Sequence, residues 1–161
     1  MAIYLKFDDI KGDVTAEGFE DHIEITSCNF GISRFITMEA GSVANREAGL
    51  PNLTSLGMTK ELDSSTPLLL QKALAGAEAK TAVITFCRTG EKGAPVPVGK
   101  YTLERAVVSG YNFSGSQGGR PQESLDISFT KIECDFSQAD RDNKNGANVK
   151  VGYDLETAKV I

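Results

Sequence analysis

In the stretch ESLDISFTKIECDF, residues 123–136, the apolar residues change phase half-way along. Leu125, Ile127 and Phe129 alternate with polar residues, the mark of a half-buried strand. The apolar set then jumps to Ile132, Cys134 and Phe136. Successive side chains on a strand point to opposite faces, so a slip of one residue turns half of this set the wrong way. The stretch HIEITSCNFGISRF, residues 22–35, repeats the pattern: Ile23 and Ile25 share one phase, Cys28, Phe30 and Ile32 the other. A β-bulge resolves such a slip, because one extra residue bends the strand and lets it pass between sheets at a corner. Bulges are therefore expected at Ser27 and at Thr130 and Lys131. Strands that cross between sheets imply a mainly β chain with two packed sheets and a barrel-like closure.

The rest of the chain reads the same way. Ile3, Leu5 and Phe7 alternate at the N-terminus, so the chain starts directly in a strand. Further strands are expected in LGMTKELD, in TAVITFCRTG, and in a long run where Tyr101, Leu103, Val107, Tyr111 and Phe113 share one phase. The loop SGSQGGRPQ joins that run to the opening stretch, and VKVGYDLETAKVI closes the chain as a short strand with a tail. Residues 38–58 are rich in Gly, Ala, Asn and Ser with weak periodicity, and most of them read as a long loop. Loops of that length in a compact domain are usually functional or disordered. The one good helix signal is SSTPLLLQKALAG: Ser65 or Thr66 suits the cap, Pro67 the first turn and Gly76 the stop. So short a helix needs the sheets to hold it.

The 161 residues suit a single domain spanning 1–161. The net charge of −5, from 17 Lys and Arg against 22 Asp and Glu, argues against nucleic acid as a partner. No apolar run approaches the roughly 20 residues that cross a bilayer, so membrane insertion is not expected. MAIYLKFDDIKGD has no leader-like apolar region, so any export would proceed without a cleaved signal peptide. Cys28, Cys87 and Cys134 are odd in number, lie inside strand-like runs and read as reduced packing residues. Catalytic groups are few. His22 is the single histidine, no GxSxG elbow accompanies it, and a structural role fits it better than a general base. Asp8 with Asp9 and Asp140 with Asp142 lack calcium-loop spacing, so no catalytic residue, metal site or cofactor is expected.

Four segments together, AIYLKFDDIKGDVT, GFEDHIEITSCNFGISR, TKELDSSTPLLLQKALAG and ESLDISFTKIECDF, resemble the haemolysin-coregulated protein (Hcp) family of type VI secretion tube subunits, and the terminal YDLETAKV is similar as well. The resemblance implies a phage tail-tube-like subunit: two packed sheets in a barrel-like unit with one flanking helix. It implies hexameric rings that stack into a hollow tube, with a spike protein at the tip, a contractile sheath outside and small effectors carried or chaperoned in the lumen. It implies cytoplasmic assembly followed by release from the cell. By that analogy the strands holding Asn29, Tyr111 and Ser128 line the lumen. The loop over residues 39–52 would reach neighbouring subunits and the next ring through Glu39, Asn45, Arg46, Glu47 and Asn52. The alternatives are a phage-type tail tube and, from another class, a monomeric β-barrel that binds or hydrolyses a small ligand.

Overall fold

The computed structural model describes residues 1–8, 10–37, 40–41, 48–76, 79–90, 93–139 and 145–161. The elements are β1 (Ala2–Phe7), β2 (Ile23–Glu24), β3 (Ser27–Asn29), β4 (Ile32–Ile36), β5 (Ala48–Leu53), β6 (Leu56–Glu61), α1 (Thr66–Ala75), β7 (Lys80–Thr89), β8 (Pro95–Ser114), β9 (Gln122–Ser128), β10 (Lys131–Ala139), β11 (Asn145–Asp154) and β12 (Lys159–Val160). Layer one runs β12-β11-β10-β8-β7-β1-β2, and layer two runs β3-β6-β9-β8. Every pairing is antiparallel. The core lies between the layers, with Leu5, Ile84, Leu103 and Ile132 facing Met58, Val108, Leu125 and Ile127. The two layers stay open rather than closing into one continuous barrel, so the unit is barrel-like.

Both phase slips are corners. Ile23 pairs with Leu5 in layer one, whereas Ser27 pairs with Thr59 in layer two. Between them Ile25 N–H donates to Ile3 O and Thr26 N–H to Thr59 O, so the chain changes sheets within one residue. Likewise β9 lies in layer two and β10 in layer one. Neither place carries a bulge. A bulge leaves an extra residue on one strand. At the first corner the partner changes from β1 to β6, and at the second Ser128 pairs with Val107 and Lys131 with Glu104 of the same strand, in unbroken register. Ser27 and Lys131 are therefore the first residues of new strands, and Thr130 lies in the break. Leu125, Ile127 and Ile132 are buried as the phases require; Cys134 is half-buried and Phe136 exposed.

Two bulges near the second corner sit in β8, the strand that runs through both layers. Ala106 pairs with Lys80 and Leu103 with Ala82, which leaves one extra residue near Arg105, whose φ of 52° is left-handed. Val108 pairs with Ile127 but Gly110 with Asp126, which leaves a second extra residue at Ser109. The inward set is therefore Leu103, then Ala106 and Val108, then Tyr111. Val107 falls out of the phase expected for it. The long loop is also corrected in part. Residues 48–53 form β5, which pairs with β4 as a two-stranded arm, Asn52 opposite Ser33. Gly49 and Pro51 hide this strand from propensity.

At the helix start the expected cap is replaced. Ser65 makes no side-chain cap; Asp63 Oδ1 takes the Ser65 N–H at 2.9 Å and the Ser65 hydroxyl at 2.5 Å. Gly76 ends the helix at φ 65°, where a side chain would be strained.

Candidate functional site

The outward faces of the two layers differ in chemistry. On layer one, β8, β10 and β11 carry a ladder of alternating charge: Lys131 contacts Glu104 at 2.8 Å and Glu133 at 3.0 Å, Lys150 contacts Glu133 at 2.7 Å, and Lys100 lies 3.7 Å from Asp135. Lys150 and Lys131 hold the Glu133 carboxyl below its usual range. Solvated pairs of this kind add little stability.

Layer two presents short and mostly neutral side chains instead, with Asp126 as the charge in their midst. One row across the strands is Asn29, Gly57, Asp126 and Gly110; the next is Ser27, Thr59, Ser124 and Asn112. Ser27 Oγ and Thr59 Oγ1 are 2.7 Å apart. The carboxylate of Asp126 lies flat between two glycines. A Cβ on Gly110 would sit 2.6 Å from Asp126 Oδ2, and one on Gly57 would sit 3.3 Å from Asp126 Oδ1 and 3.2 Å from Asn29 Oδ1. A glycine inside a strand often marks such a close approach. At the lower end Glu61 pairs with Arg120 at 2.8 Å, while Asp126 has no ion pair among the described residues.

Beneath this face lies a buried polar cluster. Lys60 and Glu123 are both fully buried and paired at 2.5 Å, and Lys60 Nζ also donates to Asp63 Oδ1 at 2.8 Å and to Glu61 O at 2.7 Å. Glu123 accepts from Thr66 at 2.9 Å and from the Tyr111 hydroxyl at 2.7 Å. Residues from β6, β8, β9 and the helix start thus share one network, which fixes α1 against layer two. Burial, and then the bond to Glu123 and its charge, push the Tyr111 phenol up to about 12. An unfolded tyrosine ionises near 10, so between pH 10 and 12 the unfolded chain loses a proton that the folded chain keeps. Stability is fully present below pH 10 and falls as pH rises through that window. Tyr111→Phe should flatten the decline, as read from thermal midpoints between pH 9 and 12.

The family model "Type VI secretion system effector, Hcp" matches residues 4–136, most of the chain. The chain belongs to the Hcp family. Protein hcp1 of Pseudomonas aeruginosa is 29% identical over 106 residues, covering 65% of this chain and 65% of that protein. The match therefore spans just under two thirds of that relative's length. A solved structure of a type six secretion system protein has TM-score 0.89 at 27% identity, covering 99% of both chains. Hcp1 from Salmonella typhimurium has TM-score 0.80 at 24% identity, covering 99% of this chain and 98% of that one, a likeness of fold.

In this Hcp-family chain the residues singled out from sequence separate into three groups. Asn29 stands exposed on this face of β3, and Ser128, two strands away on β9, is half-buried with Oγ 3.3 Å from Ser55 Oγ. Tyr111 belongs to the opposite side: its ring packs on the core and its hydroxyl on Glu123, so the polar surface does not include it. Asn52 lies on the arm, while Glu39, Asn45, Arg46 and Glu47 fall outside the described residues. Asp126, Gly57 and Gly110 were missed, although two glycines inside strand-like runs were a usable signal. His22 does packing work, its ring edge-on to Phe19 at 5.2 Å. Burial raises the thiols of Cys28 and Cys87, away from nucleophilic character. A groove of about 610 Å³ between Ala2, Glu24, Asp63 and Arg120 is open and largely polar, unlike a closed apolar ligand cavity. Among the described residues no helix is long and apolar enough to cross a membrane.

Proposed function

We propose that this chain is the structural subunit of a type VI secretion tube, its copies joined head to tail in a hexameric ring. The observation that carries the reading is the pair of free edges on layer two. Beyond β6, β3 has no ladder partner among the described residues, and residues 107–114 of β8 have none beyond β9. Unpaired edges invite another strand. Four antiparallel strands alternate in direction, so β8 runs opposite to β3. Setting β8 of one copy beside β3 of the next by rotation adds one more antiparallel pair, and this heterologous contact makes a ring when the rotation closes.

Unburied apolar surface supports the same reading. A lone two-stranded ribbon is marginal in water, yet the β4–β5 arm leaves Ile32, Phe35, Ile36 and Leu50 more than half exposed. Phe136, Val149 and Val151 extend the core-facing side of layer one past its own core and are equally bare. Neighbouring copies cover these surfaces, within a ring and between stacked rings. The neutral face of layer two lines the bore and holds small effectors, a spike protein caps the tube and a contractile sheath encloses it. Six copies carry −30 (6 × −5), which turns nucleic acid away as cargo.

One test uses proline at the β8 edge. Of the neighbouring residues Asn112 and Phe113, one points its N–H at β9 and the other outward. Proline removes that donor. The outward variant, Asn112→Pro or Phe113→Pro, should keep a wild-type circular dichroism spectrum and sediment as a monomer at concentrations where the wild type forms rings. A wild-type chain that stays monomeric in native mass spectrometry, or a folded proline variant that still forms rings, overturns the proposal.

A further inference from the structure

We propose that the Asp126 cradle is a recognition point for a guanidinium group, an arginine side chain of the bound polypeptide. The inference rests on reading the neutral face of layer two as the bore. Asp126 is exposed, carries the one carboxylate on that face without an ion pair among the described residues, and sits in the row Asn29, Gly57, Asp126, Gly110. Its two oxygens lie over the two flanking glycines, at the distances that would clash or crowd with a Cβ. Asn29 Oδ1 leans over the same Gly57. Three acceptor oxygens therefore lie low on a sheet surface from which the side chains of two positions are missing.

That shape selects among cations. A guanidinium is planar, offers five donors in a rigid fork and pairs with a carboxylate through two parallel bonds. Laid over the glycines, it can donate two bonds to Asp126 and a third to Asn29. An ammonium is a compact, strongly hydrated point charge and uses the flat cradle less well. The surrounding Ser27, Thr59, Ser124 and Asn112 bring no competing cation.

The test uses three fluorescein-labelled peptides, acetyl-Gly-Arg-Gly-Arg-Gly and its lysine and citrulline versions, with the full chain at low and moderate salt. Assembly state is followed by sedimentation, and binding by anisotropy and by the amide NMR shifts of Gly57 and Asp126, which report on ring and monomer alike. The arginine peptide should bind at least tenfold more tightly than the neutral citrulline peptide and several-fold more tightly than the lysine peptide. Asp126→Asn should erase the preference while rings still form, and Gly57→Ala, which keeps the charge but crowds the oxygens, should weaken binding several-fold. Asp135→Asn, the same charge change on the other layer, should leave binding unchanged. Equal binding of the arginine and citrulline peptides, or equal losses at Asp126 and Asp135, overturns the proposal while leaving ring assembly standing. Rings that fall apart in Asp126→Asn also overturn it, because the carboxylate then belongs to the subunit contact. A wild-type chain that forms no rings yet shows the arginine preference sinks the tube reading and keeps the cradle as a guanidinium site.

Discussion

Replacing Lys60 with alanine should lower the unfolding free energy by about 3–5 kcal/mol, the cost of breaking a buried ion pair by removing one partner. Lys60 is fully buried and its ammonium touches Glu123, Asp63 and the Glu61 carbonyl. Without it, two carboxylates that met at one cation are left facing each other away from water. Glu123 would keep only the hydroxyls of Thr66 and Tyr111. At 2–4 °C per kcal/mol for a chain of this size, the thermal midpoint should drop by roughly 6–20 °C. Urea unfolding followed by circular dichroism measures both quantities, and a loss below about 1 kcal/mol would show that the cluster does not anchor the helix. The effect should reach α1 first, because Asp63 and Thr66 belong to the network and also shape the helix start.

Leu69→Ala should cost about 2–5 kcal/mol, as expected for a buried leucine that leaves a cavity. Leu69 is fully buried and is the one buried residue of α1, whereas Leu74 four positions beyond its neighbour Leu70 is 79% exposed. Leu74→Ala should therefore stay within about 0.5 kcal/mol in the monomer. A ten-residue helix has little stability of its own, so the contrast between the two substitutions measures how far one side chain holds α1 to the sheets. Equal effects would mean that the helix is held by its polar start alone.

These two variants probe features of unequal visibility. Pro67 in the first helical turn and Gly76 at its end were legible, because both act through their own backbone. The burial of Lys60 and Glu123 was not. Both residue types read as solvent-facing, and only the meeting of β6, β9 and the helix start gives their charges partners. The corners followed the same division. Near Ser27 and Thr130 the apolar alternation breaks cleanly, so the change of sheet was visible. In β8, however, Ala106, Val107 and Val108 are all apolar and support either phase, so the bulges at Arg105 and Ser109 left no trace.

By itself the sequence determined what depends on near neighbours: strand periodicity, the two corner crossings, the helix with its proline and glycine, and the segments that mark an Hcp-family chain. Only the tertiary structure decided which strand lies beside which, and so placed Asn29, Gly57, Asp126 and Gly110 in one row across four strands. It also turned Tyr111 inward and paired residues 48–53 with β4. The reason is that period-two alternation is a local property, whereas register is set by contacts between segments far apart in the chain. A one-residue shift in any ladder would leave the local pattern intact and dismantle the Asp126 cradle.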